Sequence, residues 1–202
     1  MKKEELAARL KRACARVTAA EALLTEIDSK FGDADHGLTM TKIAGAIAQA
    51  VDESDGGIRS MLDDAAMAVM VLNGGSAVPL WNTWLDGMQE GAPEGEEIDV
   101  AGIQAMFARA FEALDEISGA KVGDKTMMDA LIPASQAIAA YVGEDEAGLF
   151  QAAAQAAQQG AEASKNFVSK FGRAKSYGEK TLGTPDAGAT SMSLFFQGLA
   201  EV

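Results

Sequence analysis

The chain has 202 residues, 48% apolar and 23% charged, enough for one domain with a sizeable core, or at most two small ones, and too apolar for extended disorder. Its formal charge of −13 makes nucleic acid and anionic membrane surfaces poor partners, and a nucleotide would need metal or local basic residues to offset its phosphates. Cys14 is the single cysteine, so no disulfide forms within the chain; no apolar run reaches the ~20 residues of a membrane span, and no signal-peptide core follows Met1-Lys2-Lys3-Glu4-Glu5, so a cytoplasmic protein is expected.

Alanine, methionine and leucine dominate and alternating β-branched runs are missing, which predicts helices almost throughout. The first helix is expected over Lys3–Ile27, with Leu6, Leu10, Val17 and Leu24 near one face, and the second over Leu38–Val51. Asp55-Gly56-Gly57 separates a third, Ile58–Leu72, which Asn73-Gly74-Gly75 ends. A fourth runs from Val78 to Gln89, and the acidic, glycine-containing stretch to Ile98 reads as a solvated loop. A fifth follows Asp99, a good N-cap, and carries Met106, Phe107, Phe111 and Leu114. The sixth, Thr126–Tyr141, contains Pro133, which should kink it by removing a donor and crowding the preceding turn. The seventh spans Glu144–Val168, Gly172–Pro185 is a long polar loop, and the eighth begins near Gly188.

Short connections between amphipathic helices favour antiparallel neighbours. The breaks Asp28–Gly37, Asn73–Pro79, Gly119–Lys125 and Gly172–Asp186 follow helices one, three, five and seven. Up-and-down ordering puts all four at the same end of the bundle.

The first of these loops, Asp28 to Gly37, gathers Asp28, Asp33, Asp35 and His36 between glycines. Repelling carboxylates are tolerable side by side when a hard cation such as magnesium lies between them; the same residues also suit an ordinary Asp-Gly turn. A calcium EF-hand does not fit, because Gly37 and Ala44 stand at its fifth and twelfth positions counted from Asp33. His36, the sole histidine, is either a hydrogen-bonding surface residue or a donor to a phosphate oxygen.

In the second loop, Gly74-Gly75-Ser76 before a helix is either a phosphate cradle of backbone N–H groups or a helix stop followed by a serine cap and an early proline. The loop Gly172 to Thr181 is not a Walker A motif: five residues separate Gly172 from Gly178, and Glu179 precedes Lys180. It remains a basic loop in an acidic chain, with Arg173, Lys175 and Lys180 either solvated or facing phosphates. Gly123 to Asp129 reads as a helix start capped by Asp124 or Thr126. Met127 and Met128 are core residues, or one of them offers a thioether surface to a purine.

Together these segments, Asp28–Met40, Asn73–Leu80, Gly123–Pro133 and Gly172–Ser191, resemble the L subunit, or L-type domain, of dihydroxyacetone kinases over nearly the whole chain. The sharpest matches are Gly32-Asp33-Ala34-Asp35-His36-Gly37, Gly123-Asp124-Lys125-Thr126-Met127 and Asp186-Ala187-Gly188-Ala189-Thr190-Ser191. The resemblance implies an all-α barrel of eight antiparallel helices, one domain over residues 1–202, with ADP or ATP at one end and two Mg²⁺ ions held by Asp28, Asp33 and Asp35. It further implies that His36 and Thr39 lie on the phosphate side and that Ser76 with the Gly74-Gly75 backbone cradles the phosphates. By the same resemblance Met127 would lie near adenine, and Arg173, Asp186 and Gly188 would complete the site. Ala77 and Val78 stand where the family usually has serine and glycine, and Thr39 where asparagine is common.

The implied activity is phosphoryl transfer to dihydroxyacetone or a related small ketose, such as a four-carbon one, held on a separate K-type subunit or domain. ADP is then either exchanged for ATP or rephosphorylated by a phosphotransferase-system protein. A second reading is a nucleotide-sensing protein that regulates a partner, such as a transcription regulator, with little or no catalysis. A purely structural bundle would gain nothing from three aspartates in one loop.

Overall fold

The structure, a computed structural model, describes residues 1–201 and is all-α among them. Its helices are α1 (Lys3–Ala19), α2 (Glu21–Ser29), α3 (His36–Glu53), α4 (Ile58–Met70), α5 (Ala77–Gly91), α6 (Val100–Ser118), α7 (Met128–Ala140), α8 (Glu146–Ala163) and α9 (Ala187–Ala200), with 3₁₀ segments at Ser164–Asn166 and Arg173–Thr181. Each helix buries one apolar stripe. On α1 this is Leu6, Leu10, Ala13, Cys14 and Val17; on α6 it is Ile103, Met106, Phe107, Ala110 and Leu114. From α3 onward each helix packs on the next, and α9 returns to pack on both α8 and α1. The ring therefore closes, giving the expected antiparallel barrel, with α1 and α2 together taking the first place.

Large aromatics fill the barrel. Trp81 and Trp84 of α5, Phe107 of α6, Phe150 of α8 and Phe195 and Phe196 of α9 are all essentially buried. Their rings meet edge-on or tilted, from 5.1 Å for Trp81–Phe195 to 6.4 Å for Phe107–Phe150, the arrangement that the ring quadrupoles favour. Arg9 enters this interior with its guanidinium 5.1 Å from the Phe150 ring and Nη1 donating to Leu199 O at 2.7 Å.

Asp99 caps α6 as expected, accepting from Gly102 N at 2.8 Å. Apart from helix ends that shift by one or two residues, the structure departs from the sequence reading with a visible physical cause in four places. The first helix breaks at Ala20 (φ −96°, ψ 9°), which lets α2 turn and lie directly on the start of α3. A Cβ on Gly37 would overlap Glu21 O and Thr25 Oγ1, so glycine is what permits this approach. The sixth helix starts at Met128 rather than Thr126, because Lys125 takes a left-handed conformation (φ 61°) and Thr126 Oγ1 accepts from Met128 N. The seventh ends at Ala163, where the chain tightens into the 3₁₀ turn Ser164–Asn166. The polar loop after Gly172 is itself largely 3₁₀, broken at Gly178 (φ 56°).

Helix α7 continues past Pro133. Proline leaves the carbonyl four residues back, that of Asp129, without its helical donor. Gly160 of α8 lies against that carbonyl, so close that a Cβ there would overlap it.

Candidate functional site

Asp28 lies in the last turn of α2, while Asp33 and Asp35 sit on the turn before α3. Gly32 is required here because a Cβ would overlap the Asp28 carboxylate. Ala34 between the other two is left-handed (φ 60°), an uncommon conformation for alanine and a strain of the kind that collects at functional sites. The Asp28 carboxylate also accepts from the amides of Asp35 (3.1 Å) and His36 (3.3 Å). One oxygen from each of Asp28, Asp33 and Asp35 can be chosen so that all lie within 4.8 Å of one another. Such an all-oxygen set suits a hard divalent cation. The crowding is visible in Asp35: partial desolvation raises its carboxyl above the usual range, and the charge and hydrogen bond of Asp33 and the charge of Asp28 push the same way.

The basic 3₁₀ segment, the first turns of α9 and the Gly74 loop meet this turn and the start of α3. Arg173 Nη2 pairs with Asp33 Oδ2 at 2.6 Å, and the Tyr177 ring lies 5.3 Å from that of Phe31, so the basic 3₁₀ segment folds over the aspartate loop. His36 Nε2 lies 3.1 Å from Ser191 Oγ, which also lies 3.0 Å from Gly188 O. The Ser191 hydroxyl and the imidazole thus share one hydrogen bond, in the direction set by the His36 tautomer. Burial holds the imidazole below its ordinary value, against the pull of Asp28. Gly74 rests on buried Thr39: a Cβ there would be 3.0 Å from Thr39 Cγ2 and 2.6 Å from Val78 Cγ2. Val78 thus packs beneath the loop and leaves the exposed Gly74-Gly75 backbone open. Ser76 stands at the N-cap position of α5, as the serine-cap reading has it, but its side chain makes no capping bond.

The fourth wall is α7 and α9. Asp186 caps α9, accepting from Ala189 N at 2.7 Å. A Cβ on Gly188 would be 3.2 Å from Met127 N and 3.1 Å from Asp186 Oδ2, so Met127, Asp186 and Gly188 pack against one another, with both Met127 and Met128 buried in the core. Of the two capping candidates for α7, Thr126 satisfies the first helical amide, Oγ1 accepting from Met128 N at 3.2 Å, and Asp124 does not cap. Asp124 instead accepts from Lys121 N (2.8 Å) and Lys170 Nζ (2.6 Å). The fully buried Asp129 takes the amides of Gly123 (2.6 Å) and Thr126 (2.7 Å). Buried Lys125 donates to Ser164 O at 2.6 Å and to Thr184 O. The sequence reading brought forward none of Lys125, Asp129, Ser164 and Ser191 as site residues. Thr126 with an acid three residues later was a readable capping signal for Asp129; the partners of Lys125, 39 and 59 residues away, had none.

Every predicted site residue therefore lies on one of these four facing loops or the helix ends beside them. Burial pushes the Asp186 carboxyl up to about 7, and nearby Asp129 adds to the rise while Lys125 and the Ala189 amide oppose it. A folded-state value above the unfolded one means stability that is present below ~4 and lost as pH rises through about 7. Melting of the ligand-free chain from pH 5 to 8 should show this loss. Asp186→Asn, which keeps a capping acceptor, should show a smaller decline. Identical slopes would remove Asp186 as the cause.

No helix among the described residues is long and apolar enough to cross a membrane. Residues 30–201 match the model of the DAK2 domain. The chain is 36% identical over 187 residues to D-erythrulose kinase of Mycolicibacterium smegmatis, covering 90% of this chain and 32% of that protein. It is 27% identical over 181 residues to the ADP-binding subunit DhaL of the PEP-dependent dihydroxyacetone kinase of Escherichia coli, covering 88% of this chain and 86% of the subunit. The crystal structure of the dihydroxyacetone kinase from C. freundii in complex with AMP-PNP and Mg²⁺ superposes with a TM-score of 0.71 at 26% identity, over 96% of this chain and 33% of that one. The chain thus spans about a third of the erythrulose kinase and most of the DhaL subunit. It belongs to the DAK2-domain family, that of the L-type domains of dihydroxyacetone kinases.

Proposed function

We propose that residues 1–202 form one nucleotide-binding domain of a cytoplasmic small-ketose kinase, holding Mg-ADP or Mg-ATP at the loop end of the barrel. The observation that carries this reading is the approach of the Asp28, Asp33 and Asp35 carboxylates to within 4.8 Å, faced by the open Gly74-Gly75 backbone. Asp28, Asp33 and Asp35 would hold two magnesium ions. Bound magnesium supplies neutralisation of the phosphate oxygens.

The chain's own groups do the rest. Gly74, Gly75 and Ser76 offer N–H and hydroxyl donors to the phosphates, and His36 and Thr39 line the same side. Arg173, paired with Asp33, would stabilise charge on the transferred group, as a guanidinium can. Met127, with Asp186 and Gly188, forms the wall for the base.

The acceptor is dihydroxyacetone or a four-carbon ketose, carried by a K-type subunit or domain that completes the site. The greater identity to the erythrulose kinase favours four carbons. ADP is either exchanged for ATP or rephosphorylated in place by a phosphotransferase-system protein; ADP surviving gel filtration would favour the second route.

Calorimetry with ADP tests the reading. Binding is expected with magnesium and should be lost when all metal is chelated, because the carboxylates then repel the phosphates. With Mg-ATP and erythrulose, product should form only after a K-type partner is added. Equal ADP affinity with and without metal would overturn the metal assignment, and turnover by the chain alone would overturn the division of labour.

A further inference from the structure

The segment Gly123 to Asp129 is among the sharpest motifs of the sequence, yet only Met127 has a part in the site above. Its other residues form a buried polar hub. Lys125 is 4% exposed and Asp129 is 0% exposed. The Asp129 carboxylate holds the amides of Gly123 and Thr126, which fixes the turn into α7. Lys125, left-handed at φ 61°, sends its ammonium across that turn to two carbonyls, Ser164 O at the end of α8 and Thr184 O just before α9. Ser164 Oγ in turn accepts from Asp186 N at 2.9 Å. One ammonium thus ties together the start of α7, the end of α8 and the run into α9.

A lysine seldom enters an interior, because its charge must be desolvated and its rotamers frozen. It enters here opposite two carbonyl oxygens and close enough to Asp129 and Asp186 to feel their charges. For holding three helix ends alone, an apolar residue would serve at least as well. What the ammonium adds is direction: donors aimed at Ser164 O and Thr184 O set where Asp186 and Gly188 lie against Met127.

We propose that Lys125 is a positioning residue that sets the wall formed by Met127, Asp186 and Gly188, and with it the grip on the base of the nucleotide. This rests on reading the loop end as a nucleotide site. It assigns Lys125 no contact with the phosphates and none with the reacting atoms.

The test uses the full chain with Lys125→Met and Lys125→Arg, each checked by far-UV circular dichroism. Calorimetry in magnesium compares ADP with tripolyphosphate, which lacks a base. Lys125→Met should weaken ADP about tenfold or more, the scale of one charge-assisted hydrogen bond, and leave tripolyphosphate within about twofold. Lys125→Arg, which keeps the charge and several donors, should recover part of the lost ADP affinity. Trypsin, which cuts after Arg173, Lys175 and Lys180, should cleave the 3₁₀ segment of Lys125→Met faster than that of the wild type.

Equal losses for the two ligands, unchanged ADP affinity, or a Lys125→Met chain that is unfolded would each overturn the proposal. In the last case the ammonium would hold the fold rather than one wall. A wild-type chain that binds neither ligand would instead overturn the nucleotide site itself, and the trypsin comparison would still report whether Lys125 tethers the segment.

Discussion

Asp35→Asn is expected to lower Mg-ADP affinity about 100-fold or more, since loss of even an outer-shell partner of a metal site costs 10- to 100-fold. The substitution keeps the size of the side chain and removes one anionic oxygen from the three-carboxylate set. Its effect on the ligand-free chain should have the opposite sign. Desolvation first, and then Asp33 and Asp28, raise the Asp35 carboxyl above its ordinary range. A carboxyl raised in the folded state gives stability at low pH that is lost as pH rises through its folded value. Asparagine has no such loss. Ligand-free Asp35→Asn should therefore melt slightly above the wild type at neutral pH, on the order of 1 °C for an exposed group in a chain of this size. The wild type should gain melting temperature on adding Mg-ADP, by mass action on the folded state, and the variant should gain little. Thermal melts with and without Mg-ADP read both effects. A variant less stable than the wild type when ligand-free, yet equally stabilised by Mg-ADP, would show that Asp35 is structural.

Gly198→Ala and Gly160→Ala should each destabilise the barrel by roughly 1–3 kcal/mol, whereas Gly45→Ala should stabilise it by up to ~1 kcal/mol. All three glycines lie inside helices, where alanine is ordinarily preferred. The difference is what lies opposite. A Cβ on Gly198 of α9 would overlap the Ala13 Cα of α1, at the contact that closes the ring. One on Gly160 would overlap the Asp129 carbonyl that Pro133 leaves without a helical donor. Both obstacles are backbone and cannot rotate away. Gly45 is exposed on α3 with nothing within 4 Å. Denaturant or thermal unfolding of the three variants decides the matter. A stabilising Gly198→Ala would mean that α1 and α9 do not meet this closely.

Much of the site was legible because its chemistry is local. Asp28, Asp33, Asp35 and His36 fall within nine consecutive residues, and their glycines mark the turn. Gly74-Gly75-Ser76 and Asp186 with Gly188 are likewise short runs at helix ends. Up-and-down ordering was enough to place these runs at a common end, because helices joined by short links have little choice of direction. The less legible parts were those decided by residues far apart. Ala20 has nothing in its neighbourhood that forbids a continuing helix; the break follows from α2 packing on Gly37. The polar run after Gly172 carries a loop's composition, yet Arg173 on Asp33 and Tyr177 on Phe31 accompany its coiling over the site.

The sequence by itself determined the all-helical class, since alanine-rich 3.6-residue periodicity leaves no alternating face from which to build a sheet. It also put three acids into one short glycine-bounded loop, while the left-handed turn at Ala34 and the amides held by Asp28 bring their carboxylates together. Only the tertiary structure decided how the ring closes, with α9 against α1. It alone committed His36 Nε2 to Ser191, 155 residues away, and Lys125 to Ser164 and Thr184. The reason is physical: a hydrogen bond or a backbone approach between distant residues leaves no periodic trace in the chain. A buried lysine and a surface lysine are spelled alike until the helices that enclose one of them have been assembled.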